Sequence, residues 1–295
     1  MLALYFSYTE RSSKPRAIPK PVSGKVNIKQ SAAMMLTLMR ILPMLIGHLI
    51  EPDCPYWHLY KLLRQIMDLT MSPIFSVDAT YYLESVVSDH HRHFKQLFPN
   101  RNITPKHHFM LHYGEAIRRC GPLRHLWCMR FESKHQLAKK VGDLTNNFRN
   151  IALTVATQYS LSTFSSWKLN KIFPKTSIEH STDGMRVTSF SHCGQLFKPG
   201  SVIRYDTNEN MRLCKIDSIV IDDSKVIFKC KKLSVDDYSE HFCAFPVMST
   251  DIDVDVEFYN LTCTTPLSVH FNQKGDEYVY LPSIFNQSFH ALGSY

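Results

Sequence analysis

Apolar residues recur every three to four positions in the first half of the chain and alternate with polar ones in stretches of the second half. Met34, Leu38, Ile41 and Leu45 fall on one face of a helix that begins near Ser31, and Pro43 should kink or divide it. A second helix is expected over residues 57–71, ending near Pro73. A third is expected over 77–98, with Val86, Phe94 and Leu97 on its apolar side and Pro99 as its stop. Residues 107–119 read as one short helix closed by Gly121 and Pro122. A last long helix should begin near Phe131 and run, with interruptions, to Tyr159. It would bury Leu137, Val141, Leu144, Phe148 and Ile151, while Gly142 and the pair Asn146-Asn147 weaken its middle.

The period changes after about Leu161. Residues 212–221 and 225–231 alternate, with Val226, Phe228 and Cys230 on one face, and Asp222-Asp223-Ser224 supplies a turn between them. Residues 201–205, 254–259 and 277–281 are further strand candidates, and Lys198-Pro199-Gly200 reads as a turn. The expected fold class is therefore α+β. A flexible basic leader over 1–30, rich in Ser, Pro and Lys, precedes an all-α domain over 31–163 and a small antiparallel β-barrel or sandwich over 164–295. No internal repeat is present.

Composition sharpens this division. Apolar residues make up 44% of the 295, an ordinary globular share. The net charge of +8 is uneven: residues 1–160 hold 21 Lys and Arg against 10 Asp and Glu, and residues 161–295 hold 13 against 16. A polyanion would meet the first half; the alternative is a solvated basic face with no partner. The eight cysteines include no C-x-x-C pair, so free thiols in a reducing compartment are expected. The N-terminus lacks the basic region and cleavage site of a signal peptide. The apolar run 33–50 carries Arg40 near its middle and Pro43 after it, which fits a buried helix better than a membrane span, and no membrane partner is expected. Three N-x-[ST] sequons, at Asn102, Asn260 and Asn286, read as chance matches without a secretory signal.

The candidate chemistry concentrates in residues 105–150. Glu132 stands alone among bases and histidines at the expected start of a helix, with His135 three and Lys139 seven positions on. A carboxylate there either stabilises the helix N-terminus, pairs with a cation, or holds a metal beside a polyanion. Two-metal nucleic-acid chemistry needs several carboxylates, and Asp78, Asp89 and Asp143 have no spacing that marks them as partners. His108 and His112 have the i, i+4 spacing of a zinc pair, without the Glu of a metalloprotease; Cys120 or Cys128 would have to complete it. Imidazoles in a core or near phosphate are the alternative, for these and for His90, His91, His93 and His107. Arg118, Arg119, Arg124 and Arg130 are candidate phosphate contacts, which would give salt-dependent binding with little sequence preference. Trp127 and Phe131 read as core. Phosphate-loop, dinucleotide and hydrolase motifs are absent from the sequence.

The run from Cys120 to Glu132, Cys-Gly-Pro-Leu-Arg-His-Leu-Trp-Cys-Met-Arg-Phe-Glu, with Lys134, Lys139-Lys140 and Asn150 after it, resembles the C-terminal part of EnSpm/CACTA-type DNA transposases. Pro-Lys-His-His-Phe before it and Asn-Phe-Arg-Asn after it resemble the animal members, and residues 38–47 resemble the family's upstream helix. The resemblance covers about residues 30–165. It implies a DDE transposase of RNase H-like fold, in which three carboxylates hold two Mg²⁺, with Glu132 at the position of the third. The family's first two Asp residues belong to a domain that would precede residue 30 and that this sequence lacks. Ser133 stands where plant members have Arg.

The expected function is therefore a transposon-derived DNA-binding protein that does not catalyse alone. Arg124, Arg130, Lys134, His135, Lys139 and Lys140 would face DNA, and Glu132 would hold Mg²⁺ only within a complete site. One alternative is a working part of a Mg²⁺-dependent transposase, its other carboxylates supplied by a longer chain or a partner. Another is a host protein-interaction module that uses the β-domain. DNA is the expected partner, with a homo-oligomer or a longer transposase chain possible, and a nuclear location is expected, otherwise a cytoplasmic one.

Overall fold

The computed structural model of the chain describes residues 13–18, 28–72, 75–145, 149–168, 178–181, 184–192, 195–207, 210–222 and 225–281. For residues 129–134, 137, 165–168, 178–181, 184, 206, 207, 210 and 264 it describes the backbone alone. Most of the expected leader, Phe148 and the turn residues Asp223 and Ser224 lie outside the described residues.

Helix α1 spans Ala32–Ile46. Ser31 caps it by accepting a hydrogen bond from the Met34 N–H at 3.3 Å, one of the donors a helix start leaves open. Pro43 does not divide the element: one helix carries through it to Ile46. Proline has no N–H for the carbonyl four residues back, here that of Met39. The hydroxyl of Tyr60, on α2 (Pro55–Thr70), donates to that carbonyl at 2.6 Å instead. A neighbouring helix thus fills the gap that would have divided this one.

Helix α3 (Val77–Leu97) is capped by Ser76 and packs on both α2 and α5 (Tyr113–Cys120). Ile66, Leu69, Leu83, Val86, Val87 and Ile117 form the buried core of these three helices. The single helix expected over 107–119 is two, α4 (Pro105–Met110) and then α5, interrupted at Leu111 and His112. The break lets Met110 and Tyr113 both pack against the α2–α3 core. Gly121 ends α5 with φ +81, a conformation that favours glycine. Two further helices follow, α6 (Cys128–Thr145) and α7 (Ile151–Lys168).

The strands are β1 (Ile178–Ser181), β2 (Gly184–Val187), β3 (Phe190–His192), β4 (Gln195–Phe197), β5 (Val202–Thr207), β6 (Asn210–Asp222), β7 (Lys225–Val235), β8 (Phe245–Glu257), β9 (Cys263–Leu267), β10 (Val269–Phe271) and β11 (Glu277–Val279). All described pairings are antiparallel. The main sheet runs β1-β2-β6-β7-β8-β11-β10, and β5 joins it between β6 and β9. The β6–β7 hairpin is in the expected register, Asp222 opposite Lys225. The order does not return on itself, so the expected barrel is not closed. The long strands change partners along their length instead: β6 pairs with β5 at one end and with β2 at the other, opposite β7 throughout. A one-residue bulge at Asp217 in β6 and extra residues in β8 near Thr250 bend the sheet.

The covered face of these strands also changes along them. Val226, Phe228 and Cys230 of β7 lie in one core, while Leu233, on the opposite face, lies in a second with Val202, Leu213, Val247 and Val279. The first core centres on Phe190, Phe197, Phe228 and Phe258, whose ring centroids stand 5.0 to 6.4 Å apart. Offset and edge-on aromatic pairs of this kind add about 0.5–1.5 kcal/mol each to the burial of their surface.

Helices and sheet share a joint. Ile41 and Met44 of α1 pack against Ala244 and Tyr278. The stretch Ala32–Leu49 has the length and composition to cross a membrane, and in this fold a third of it is buried. The Trp57 indole N–H donates to the carbonyl of His241 at 3.2 Å, and Nε2 of His241 donates to that of Gly47 at 2.8 Å. A Cβ on Gly47 would come within 2.9 Å of the Phe242 ring, so the approach here depends on glycine. At the centre, Arg64 forms an ion pair with Asp68 one turn on, both almost wholly buried. Tyr280 donates to Asp68 Oδ1 at 2.6 Å, and the Arg64 guanidinium lies 4.3 Å from the centre of the Tyr280 ring. Burial opposes the charge on Arg64, and Asp68 together with Tyr280, Tyr60 and Cys243 outweighs it, raising the guanidinium's pKa. Burial and Asp68 push the Tyr280 hydroxyl up to about 12.

Removing one partner of a buried ion pair leaves the other charge uncompensated. Asp68→Ala should lower the unfolding free energy by about 3–5 kcal/mol in urea denaturation, and the double substitution Arg64→Met/Asp68→Leu should lower it by much less. Tyr60→Phe, which leaves the Met39 carbonyl without its donor, should cost about 1–3 kcal/mol.

Candidate nucleic-acid interface

Helix α6 carries most of the candidate residues. It starts at Cys128, after Gly121-Pro122 and a 3-10 turn over Leu123–Leu126, so its first turn holds no acid. Glu132 is the fifth helical residue. It was expected at the helix start, but no breaker separates Pro122 from Phe131 closely enough to hold the helix back to that point. A role for Glu132 in stabilising the first turn falls away with this shift.

At 100° per residue, position 132 falls on the same side of α6 as His135, Lys139 and Asp143. His135, Gln136, Lys139, Lys140 and Asp143 are exposed, whereas Ala138 and Val141 are half-buried and Gly142 is buried. Helix α7 approaches this inner side: a Cβ on Gly142 would meet Ile151 Cδ1 at 3.2 Å. Arg130 and Lys134 lie on the backbone of α6, where their side chains, like that of Glu132, are outside the described residues. Arg124 is exposed on the preceding turn. The expected DNA-facing residues are neighbours in sequence, and among them the described side chains, Arg124, His135, Lys139 and Lys140, are exposed.

Arg118 and Arg119 are engaged elsewhere. Arg118 pairs with Glu84 at 2.7 Å, donates to Thr80 Oγ1 at 2.8 Å and lies over the Tyr81 ring. Glu84 raises its pKa through a side-chain hydrogen bond. Arg119 pairs with Glu115 at 3.2 Å. Leu144 and Ile151, expected in the core, are 83% and 40% exposed, because α7 meets α6 over a narrow strip and leaves Leu153, Leu161 and Phe164 in solvent as well.

His108 and His112 lie on either side of the α4 end, not on one helix, with their Nε2 atoms 3.3 Å apart. Cys120 and Cys128 are both exposed free thiols. Among the described residues, no group of three or more His, Cys, Asp or Glu converges as a metal-ligand set.

A second histidine group was visible in the sequence only as a cluster. His90 and His91 of α3 meet His107 of α4, with ring centroids 5.4 to 6.2 Å apart. The Thr104 N–H donates to Nδ1 of His107 at 3.2 Å, so His107 is held as part of the α4 cap. Nδ1 of His90 and Nε2 of His91 are buried without a partner in the structure. His93 and His58 meet edge-on at 4.8 Å. Burial, then the neighbouring His91, His107 and His93, depress His90 to about 4; burial and His107 lower His91.

No family model matches this chain, and a comparison with curated proteins finds no match.

The histidine group makes stability depend on pH. The folded state holds His90 deprotonated down to about pH 4, whereas the unfolded chain takes up that proton near 6.5. Protons therefore favour the unfolded state between these values. The stabilisation is complete above pH 6.5 and is lost as pH falls towards 4. Urea titrations should show the wild type losing up to about 3 kcal/mol more than His90→Phe across that window. His270, also depressed to about 4 by burial, titrates in both proteins and cancels.

Proposed function

We propose that this chain is a DNA-binding protein built like the C-terminal part of a CACTA-type transposase, in which α6 lies along the phosphate backbone. The observation that carries the reading is the exposure of His135, Lys139 and Lys140 on α6, with position 132 on the same side as His135 and Lys139. Arg118 and Arg119 are held by Glu84 and Glu115, whereas Lys139 and Lys140 are exposed on α6 as a basic surface suited to a polyanion. Arg124, Arg130 and Lys134 extend that surface in sequence. Lysines on a helix face neutralise phosphates as point charges, with little dependence on base sequence.

Within this reading, the helical part belongs to an RNase H-like transposase core and Glu132 is its third carboxylate. One carboxylate does not make a two-metal site, so the role of this chain is binding and positioning, with Mg²⁺ entering only in an assembly that brings further acids. A nuclear location follows from the same reading.

Fluorescence anisotropy with a random DNA duplex across a salt series tests it. Lys139→Glu/Lys140→Glu should weaken binding and make the slope of log K against log salt shallower by about 2. Asp143→Asn, on the same face, should not weaken it. Absence of binding at low salt, or a slope the double variant leaves unchanged, would sink the proposal.

A further inference from the structure

A cavity lies away from α6, between α2, α3 and α4. It is an open cleft of about 530 Å³, within the range of about 300–1,000 Å³ that takes up a small planar ligand. Its walls are largely rings: Tyr56, Tyr60, His90, Phe94, Phe98 and His107. Tyr56, Phe98, Phe94 and His107 form a continuous series with centroids 4.8 to 5.8 Å apart. Tyr56 is 58% exposed at the mouth, and Phe94 and Phe98 are half-buried.

The lining of the cleft is cationic, not acidic. Lys106 lines it, and no Asp or Glu does. Residues 90–114 contain Arg92, Lys95, Arg101 and Lys106 and no carboxylate at all. Lys95 donates to the carbonyl of Arg101, on the turn after Phe98, and Arg92 pairs with Asp89. His90, on the cleft wall and almost wholly buried, leaves Nδ1 without a hydrogen-bond partner. Aromatic faces for stacking, a cationic edge and one unsatisfied polar atom inside together suit an anionic ligand with a flat, hydrogen-bonding ring.

We propose that this cleft takes an unpaired nucleobase of a single-stranded DNA segment, its phosphates lying along Lys106 and Arg101. The inference rests on the DNA-binding reading and adds the kind of DNA: strand with unstacked bases rather than duplex alone. Stacking on aromatic side chains tolerates any base, so sequence preference should be slight. Depressed as it is, His90 stays neutral near pH 7 and presents the base with a ring instead of a charge.

The test uses the full chain and a 12-nucleotide single strand carrying one 2-aminopurine, next to the corresponding duplex. The wild type should quench the 2-aminopurine on binding. Tyr56→Leu/Phe98→Leu should lose the quench and bind the single strand about ten-fold or more weaker, with duplex affinity unchanged. Lys106→Glu, an exposed site, should weaken the single strand without altering the fold, and unfolding curves show whether either variant is intact. Equal loss for single strand and duplex, or no change, would overturn the proposal. So would dAMP displacing the strand at equal base concentration, which would make the cleft a free-nucleotide site. So would an apolar peptide competing as well as DNA. Failure of the α6 variants to affect duplex binding, with the quench intact, would count against the α6 reading alone.

Discussion

The buried pair of Arg64 and Asp68 sets what the rest of this fold must do. Two charges without water have to satisfy each other, and each needs further contacts to offset the cost of leaving solvent. Asp68 obtains one from the Tyr280 hydroxyl and Arg64 another from the Tyr280 ring. That requirement joins a turn of α2 to the last described stretch of the sheet. The helical half and the β half therefore share an interior, with Ile41, Met44, Ala244 and Tyr278 packed around the joint. The orientation of α2 follows from it, and α2 in turn supplies Tyr60 to α1 and Tyr56 to the aromatic cleft.

Local chemistry was readable from the sequence wherever it was sufficient. Ser31, Gly121 and the β6–β7 hairpin carry their own signals, and helix and strand form close to where those signals stand. What was not readable depended on distant residues. Pro43 signals a break or kink in any sequence, and the donor that satisfies the freed Met39 carbonyl, Tyr60, comes from another helix. Alternation in β7 was legible to Lys231, where the covered face changes and a one-face pattern stops describing the strand. Leu144 and Ile151 have the spacing of core residues, yet spacing cannot tell whether a neighbour comes close enough to cover them.

The basic character of the first half resolves into parts with different fates. Arg118 and Arg119 are absorbed by acids on the same bundle, Arg64 by the joint, and α6 keeps lysines in solvent. The cleft was the harder feature to foresee. Phe94 reads as a core residue on helical spacing, and Tyr56, Phe98 and Lys106 are far apart enough in sequence to hide their meeting. The long interval without a carboxylate, residues 90–114, was the one signal that pointed there.

The joint also orders events in time. Asp68 and Tyr280 are 212 residues apart, and the sheet residues that cover α1 lie almost as far downstream. A ribosome making this chain releases α1 and α2 long before their partners exist. At about 5–20 residues per second, the Arg64–Asp68 pair spends on the order of 10 to 40 seconds without Tyr280. During that interval the apolar side of α1 has no sheet to lie on. The core of α2, α3 and α5 uses residues of the helical half alone, whereas the joint closes only after the sheet has been made.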